Sequence, residues 1–288
     1  MNPIGGVPTR FELLRLLGRG SLGAVYAAHD QQLNRPVALK LVSLRSGAGH
    51  GPSDAFESAR SRFESEARAA QRLHHPDIVT TLAAGCDDTT GWLAMELAPG
   101  LPLARYTQAS RLLPEAVVLE ATARLAGALA HAHREGVLHR DVKPANVLVH
   151  WPSGSLKLLD FGMARLADMD STRTGVLMGT PAYLAPEVLA GQRADARSDL
   201  YALGVTLFEL LCGRPPHEAS SLGQWMQQAA TMPAPGLRSL RPELPLALDA
   251  LLSRVLEREP KRRPASADAL AEELRQIHRQ LARASPGP

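Results

Sequence analysis

Cysteine is scarce in this chain: Cys86 and Cys212 are the only two in 288 residues, too few for a disulfide framework and without metal-ligand spacing. A reducing compartment is the natural home of such a sequence. Met1 to Val7 holds no basic stretch followed by an apolar run, so no secretory signal is recognisable there. Long hydrophobic runs are missing as well: the longest, Leu200 to Cys212, is interrupted by Glu209 and too short to cross a bilayer. It predicts a buried helix. Nor does one charge dominate, since 32 Lys and Arg stand against 29 Asp and Glu, a net of +3, mixed along the whole length. Nucleic acid is therefore not an implied partner. No internal repeat is apparent. What the chain does have is a hydrophobic content of 45%, ample for the core of one large or two modest domains.

The first hundred residues favour strands, at Phe11 to Leu17, Ala24 to Ala28, Val37 to Val42, Ile78 to Ala84 and Trp92 to Leu97, separated by glycine, proline and polar residues. One helix interrupts them, predicted over Ser61 to Leu73 after a Gly/Ser-rich surface loop, Ser46 to Ser53. From Pro114 the period changes. Val117, Val118, Ala121, Leu125, Ala128, Leu129 and Ala132 recur three and four apart, the stripe of a core-facing helix. Further helices are predicted over Arg197 to Cys212, Ser221 to Ala230, Pro245 to Leu256 and Ser266 to Ala282, the last capped by Ser266 with Asp268 in its first turn. The expectation is an α+β, bilobal chain: a small strand-rich lobe with one key helix, a larger helical lobe, and a cleft where they join near Ala98 to Pro102.

Chemistry-bearing residues cluster along that plan. Gly18-Arg19-Gly20-Ser21-Leu22-Gly23-Ala24-Val25 lies between two predicted strands, where glycines let backbone N–H groups approach phosphate oxygens. Alone, this is equally a hairpin with no ligand; a dinucleotide fold would need the loop to open a helix, and here a strand comes next. Lys40 ends the apolar run Val37-Ala38-Leu39 and needs an anionic partner unless it faces solvent, with Glu66 on the predicted helix as a candidate. The sharpest segment is His139-Arg140-Asp141-Val142-Lys143-Pro144-Ala145-Asn146, with Asp160-Phe161-Gly162 one hairpin later. It supplies a carboxylate able to accept a hydroxyl proton, a lysine able to neutralise phosphate, and an amide and a second carboxylate able to hold a metal.

In this order, and with Ala185-Pro186-Glu187 after them, the motifs resemble the eukaryotic-type (Hanks-type) protein serine/threonine kinases, in particular their bacterial branch. The resemblance runs from about Phe11 to Ala282. It implies a kinase catalytic domain over residues 11–283, with lobes at about 11–97 and 102–283, a hinge at about 96–101, and tails at 1–10 and 284–288. It implies ATP with Mg2+, or Mn2+ instead, as the cofactors. By the same resemblance Gly18, Gly20 and Gly23 fold over the phosphates, within a nucleotide-binding stretch that also takes in Arg19, Ser21, Leu22 and Ala24, and Lys40 contacts them while pairing with Glu66. Leu17, Val25, Ala38 and Leu148 sandwich the adenine; Glu96, Leu97 and Ala98 form the hinge, with Met95 guarding the back. Asp141 orients the attacking hydroxyl and takes its proton, Lys143 stabilises the transferred group, and Asn146 and Asp160 hold the metals. Glu187 matches the family's partner for Arg263, and Asp199 its brace for the catalytic loop. Asp77 and Leu97 depart from the pattern, which often has Asn and usually Tyr there.

Lys143 and the segment Gly179-Thr180-Pro181-Ala182-Tyr183 resemble serine/threonine rather than tyrosine kinases, which makes protein hydroxyls the expected substrates. A scaffold that had lost the reaction would lack one of Lys40, Asp141, Asn146 or Asp160, and all are present. A small-molecule phosphotransferase would lack the 28-residue segment from Asp160 through Glu187 with its Ala-Pro-Glu ending. Within that segment Thr172 and Thr174 are the expected sites of activating phosphorylation, with Arg140 as phosphate partner, and dimerisation is the other expected route to activation. A cytoplasmic location is expected.

Overall fold

The computed structural model describes residues 7–20, 23–44, 52–87, 89–161, 181–219 and 221–284. Strands β1 (Phe11–Gly20), β2 (Gly23–Asp30), β3 (Arg35–Ser43), β4 (Thr81–Cys86) and β5 (Thr90–Glu96) form an antiparallel sheet in the order β1-β2-β3-β5-β4. β3 is central and buried on both faces. Its odd-numbered residues Val37, Leu39 and Leu41 pack with Phe11, Ala28 and Ala94, while Ala38 and Val42 pack with Phe63, Ala67, Leu93 and Met95. The period of two therefore puts Lys40 on the same face as Ala38 and Val42, under helix α1 (Pro52–Gln71).

Helix α1 begins nine residues before the expected Ser61, inside the stretch expected to be loop. Its first turns, Pro52 to Ser58, carry no apolar stripe, and the buried apolar anchors among its described side chains are Phe63, Ala67 and Ala70, so periodicity marked only the second half. The strand expected from Ile78 begins at Thr81 instead. Ile78 forms a parallel bridge to Leu158, with Val79 N donating to Leu158 O (3.0 Å) and Leu158 N to Asp77 O (2.8 Å), which ties the first lobe to the second. Asp77 is nearly buried and paired with Arg124, which also donates to Gly154 O at 2.9 Å.

In the second lobe a short sheet of β6 (Leu101–Pro102), β7 (Val147–His150) and β8 (Ser155–Leu158) lies beside α2 (Glu115–Arg134). Helix α3 (Ala196–Cys212) is buried along most of its length, opened by a capping box between Asp195 and Ser198 and closed at Gly213, whose φ of 77° suits glycine. It packs on α2 and on α5 (Leu246–Val255); α4 (Leu222–Thr231) and α6 (Ala267–Ala284) complete the lobe, α6 lying along α2. Ser266 accepts from Ala269 N at 3.1 Å, as a cap should. The α+β, two-lobed expectation holds. No helix among the described residues is long and apolar enough to cross a membrane.

Candidate functional site

The segment 139–146 hangs from one carboxylate. Asp199, in the first turn of α3, accepts from Arg140 N (2.7 Å) on Oδ1 and from His139 N (2.9 Å) on Oδ2, and Oδ2 also meets His133 Nε2 at 2.9 Å. Burial alone would push the Asp199 carboxyl up, but the His133 hydrogen bond, the nearby His139 and His133 and the His139 amide outweigh it and hold the group below its ordinary value. The clamp sets Arg140 at φ 67°. A left-handed arginine costs on the order of 1–3 kcal/mol and persists only where its surroundings over-determine it. His139 is fully buried, bonds through Nε2 to Leu159 O (2.7 Å), accepts Asp141 N on Nδ1 (3.2 Å), and stacks edge-on against Phe161 with centroids 4.6 Å apart.

From this base Asp141 projects with both oxygens engaged. Lys143 Nζ donates to Oδ1 (2.9 Å) and lies 2.8 Å from Oδ2, and Asn146 Nδ2 donates to Oδ2 and to the Asp141 carbonyl, each at 2.8 Å. Leu159 N donates to Asn146 O (2.9 Å), so Asp160 comes directly after a residue tied to Asn146. Asp160 is itself left-handed, at φ 65°. Sequence spacing thus delivered Asp141, Lys143, Asn146 and Asp160 to one place.

The expected Lys40–Glu66 pair is corrected. Lys40 Nζ pairs with Asp160 Oδ1 at 2.7 Å. Glu66 is buried on α1 and lines a different space, a groove of about 330 Å³ between α1 and the start of the catalytic loop that also meets Arg68, Arg72 and Arg140. Beneath Lys40 a small enclosed pocket runs past Met95, Thr81, Leu73 and Phe161.

The remaining nucleotide candidates come from the two sheets. Leu17, Gly18, Arg19 and Gly20 end β1; Gly23, Ala24 and Val25 open β2; Ala38 pairs with Met95 across β3 and β5; Leu148 pairs with Pro102 across β7 and β6. The three glycines differ. A Cβ on Gly23 would sit 1.8 Å from Leu41 O at φ 153°, so the backbone itself demands glycine, whereas a Cβ on Gly18 or Gly20 would meet nothing within 4 Å. Those two leave open space for a ligand. The Glu96 side chain bonds Lys157 Nζ (2.6 Å) and Thr80 N (2.9 Å), while its own N donates to Thr80 O (2.9 Å) and its carbonyl accepts Ala98 N (3.1 Å). Ser21, Leu22, Gly162, Thr172, Thr174 and Thr180 lie outside the described residues.

Below the cleft Glu187 and Arg263 meet as expected, in a two-pronged pair with both N···O distances 2.8 Å. Arg263 also donates to the carbonyls of Glu257, Arg197 and Arg258, which uses all five guanidinium N–H groups, and its plane covers Tyr201 at 4.8 Å. Tyr183 donates to Glu209 on α3, and burial together with that carboxylate pushes the phenol far up. Sequence reasoning missed Lys157, Arg124 and His133: the first two are ordinary surface-type residues by pattern, and His133 had only its place in the last turn of α2 as a signal.

A family model described as a protein kinase domain matches residues 11–274. The DNA damage-responsive serine/threonine-protein kinase RqkA of Deinococcus radiodurans is 40% identical over 248 residues, 84% of this chain and 36% of that protein. The serine/threonine-protein kinase PknD of Mycobacterium tuberculosis is 39% identical over 246 residues, 85% of this chain and 36% of its own length. The chain therefore spans little more than a third of these curated relatives. Among solved structures, the Mycobacterium tuberculosis PknI kinase domain superposes with a TM-score of 0.73 at 32% identity, covering 95% of this chain and 99% of that one.

Proposed function

The chain belongs to the protein kinase family, and from that premise we propose that it transfers the γ-phosphoryl group of ATP to serine or threonine hydroxyls of proteins. The observation that carries this reading is the Asp141 carboxylate, held by Lys143 and Asn146 beside Asp160 and Lys40. Phosphoryl transfer needs little covalent help from the protein; positioning and charge do most of the work. Asp141 orients the incoming hydroxyl and accepts its proton. Lys143, already on that carboxylate, neutralises charge on the group in flight, and Lys40 grips the nucleotide's phosphates from above.

Asn146 and Asp160 fit a hard divalent cation, Mg2+ or Mn2+. Asn146 spends its amide N–H groups on Asp141, which leaves Oδ1 with no donor among the described residues, and Asp160 keeps Oδ2 outside its bond to Lys40. Such an ion would supply charge neutralisation for the β- and γ-phosphates. The protein's share is to hold these two oxygens in register through the Leu159–Asn146 bond.

Retention of Lys40, Asp141, Asn146 and Asp160 argues against a non-catalytic scaffold. The kinase domain occupies about 11–283 and works in the cytoplasm, on protein partners; activation proceeds through phosphate on Thr172 or Thr174, or through a homodimer. The test is incubation with γ-labelled ATP and Mg2+, then analysis of phosphorylated residues. Label on serine or threonine is expected; label on tyrosine alone, or only in released inorganic phosphate, overturns the proposal.

A further inference from the structure

We propose that His75, packed against His131 of α2, is an acid-sensitive latch on the tie between the two lobes: the neutral ring holds the turn that makes the tie, and protonation releases it. The consequence for turnover rests on the phosphotransfer reading above; the latch itself does not.

The tie passes through one short segment. Ile78 bridges Leu158, Val79 N donates to Leu158 O (3.0 Å), Leu158 N donates to Asp77 O (2.8 Å), and Lys157 Nζ reaches Ile78 O at 3.4 Å. These bonds all fall on residues 77–79, and Asp77 N in turn donates to His75 Nδ1 at 3.0 Å. A ring nitrogen accepts a hydrogen bond only while it carries no proton. Protonating Nδ1 therefore removes the acceptor that begins the turn and sets two N–H donors against each other.

The surroundings of the ring oppose the charge as well. The His75 and His131 rings lie with centroids 5.5 Å apart and planes tilted by 38°. His131, in the last turn of α2, keeps its Nε2 shut off from solvent and without a hydrogen-bond partner among the described residues. The other charged groups about His75 are Arg134 and Arg124 on α2, Asp77 on its own segment and Lys157 on β8, while the neighbouring His74 is bonded through Nδ1 to Arg72 O at 2.9 Å. Asp77 is the one anion beside the ring, and its Oδ1 already takes two N–H groups from Arg124; Arg134 is paired with Asp268 on α6. Burial, together with His131, Arg134 and Arg124, outweighs Asp77 and holds the His75 ring below its ordinary value of 6.5. The released segment then binds the proton more readily than the held one. The latch is accordingly shut above about pH 6.5 and opens as the pH falls through the lower, held-state value.

The latch also has a route to the site. Ile78 and Val79 line the small pocket beneath Lys40, with Leu73 and Phe161. When the segment lets go of Leu158 this floor shifts, and the placement of Lys40 shifts with it. No hydrogen bond among the described residues joins His75 to Lys40, Asp141, Asn146 or Asp160, so the device acts through position.

The test compares the wild type with His75→Asn and His75→Gln at about pH 7.5 and about pH 5.5, on either side of the ordinary imidazole range. Asparagine puts an oxygen where Nδ1 sits and does not titrate; glutamine carries its oxygen one bond farther out and leaves Asp77 N without that acceptor. Hydrogen–deuterium exchange of the Val79 and Leu158 amides, corrected for the pH dependence of the intrinsic rate, reports the tie, and amides in the middle of α3 report global unfolding. For the wild type, protection at Val79 and Leu158 is expected to fall about three- to tenfold on acidification, and by more than in α3, since one proton changes an opening constant at most about tenfold per pH unit. His75→Asn should keep its protection at both pH values, and His75→Gln should be low already at the higher one. Turnover should match between wild type and His75→Asn at neutral pH and be at least about threefold lower for the wild type in acid. An equal acid response in wild type and His75→Asn, or a loss at Val79 and Leu158 no greater than in α3, overturns the latch. A tie that loosens while wild-type turnover keeps pace with His75→Asn overturns its role in regulation. If the wild type transfers no phosphate at neutral pH, the phosphotransfer reading fails, and the exchange data still decide the latch.

Discussion

The charged pair below the cleft and the charged residues above it are built on opposite plans. Arg263 has no exposed side-chain surface, and every N–H it owns is bonded within the second lobe. Lys40, by contrast, spans the two lobes, and its partner Asp160 keeps about a third of its side chain exposed. The lower pair is settled by folding itself. The upper one joins groups that a nucleotide would also contact, so ligand binding can rearrange it at little cost. The difference teaches where this chain is rigid and where it is adjustable: the Asp199 clamp and the Glu187–Arg263 pair are buried and fully bonded, while the Lys40–Asp160 pair joins the two lobes at a partly exposed site.

Breaking the lower pair is the harshest way to test that contrast. Arg263→Met strands Glu187 in a buried site, and losing one partner of a buried ion pair costs roughly 3–5 kcal/mol. Chemical denaturation should show a loss of that size with the remaining folded fraction still binding ATP. A loss below about 1 kcal/mol would place this pair with ordinary surface bridges. Lys40→Met comes next. It should lower turnover about 10- to 100-fold through misplaced phosphates while leaving the denaturation midpoint close to wild type, because Asp160 remains partly hydrated; a stability loss matching that of Arg263→Met would erase the distinction between the two regions.

The same contrast explains what could be read from the sequence. That Asp141, Lys143 and Asn146 lie together was legible because it depends on spacing within one loop. Glu187 with Arg263 was legible only through family resemblance, since 76 residues separate them. The Lys40–Asp160 pairing was not legible: a lysine on β3 is compatible with either carboxylate, and the choice depends on where α1 packs. Polar first turns hid the start of α1, just as the tie between Ile78 and Leu158 displaced the start of β4.

A smaller effect is expected at the join between the regions. Glu96→Gln weakens the bond from Lys157 and its support of Thr80 N, at a partly exposed site where such pairs are worth about 1 kcal/mol or less. The melting temperature should fall slightly, and nucleotide affinity should hardly change because the hinge offers its backbone. A loss of affinity greater than about 10-fold would mean that the Glu96 side chain belongs to the site after all.

Acid sensitivity is the mildest test. Burial lowers the pKa values of His139 and His217 from 6.5. A folded-state value below the unfolded one means that the unfolded chain binds the proton more readily, so this stability is present above about pH 6.5 and lost as the pH falls through the folded-state values. Each such histidine contributes a slope of at most about 1.4 kcal/mol per pH unit. His217→Phe should flatten the curve of stability against pH below about 6.5 without touching turnover at neutral pH. An unchanged slope would remove His217 from the account.

The central claim is that Asp141 serves the reaction and not the grip on nucleotide. It is tested most directly by measuring ATP affinity and turnover on the same preparations of wild type and Asp141→Asn. The account predicts affinity within about two-fold and turnover lower by roughly 10²–10⁴-fold, the contribution expected of a positioned base. Turnover above about a tenth of wild type, or a loss explained by weaker ATP binding, would contradict it.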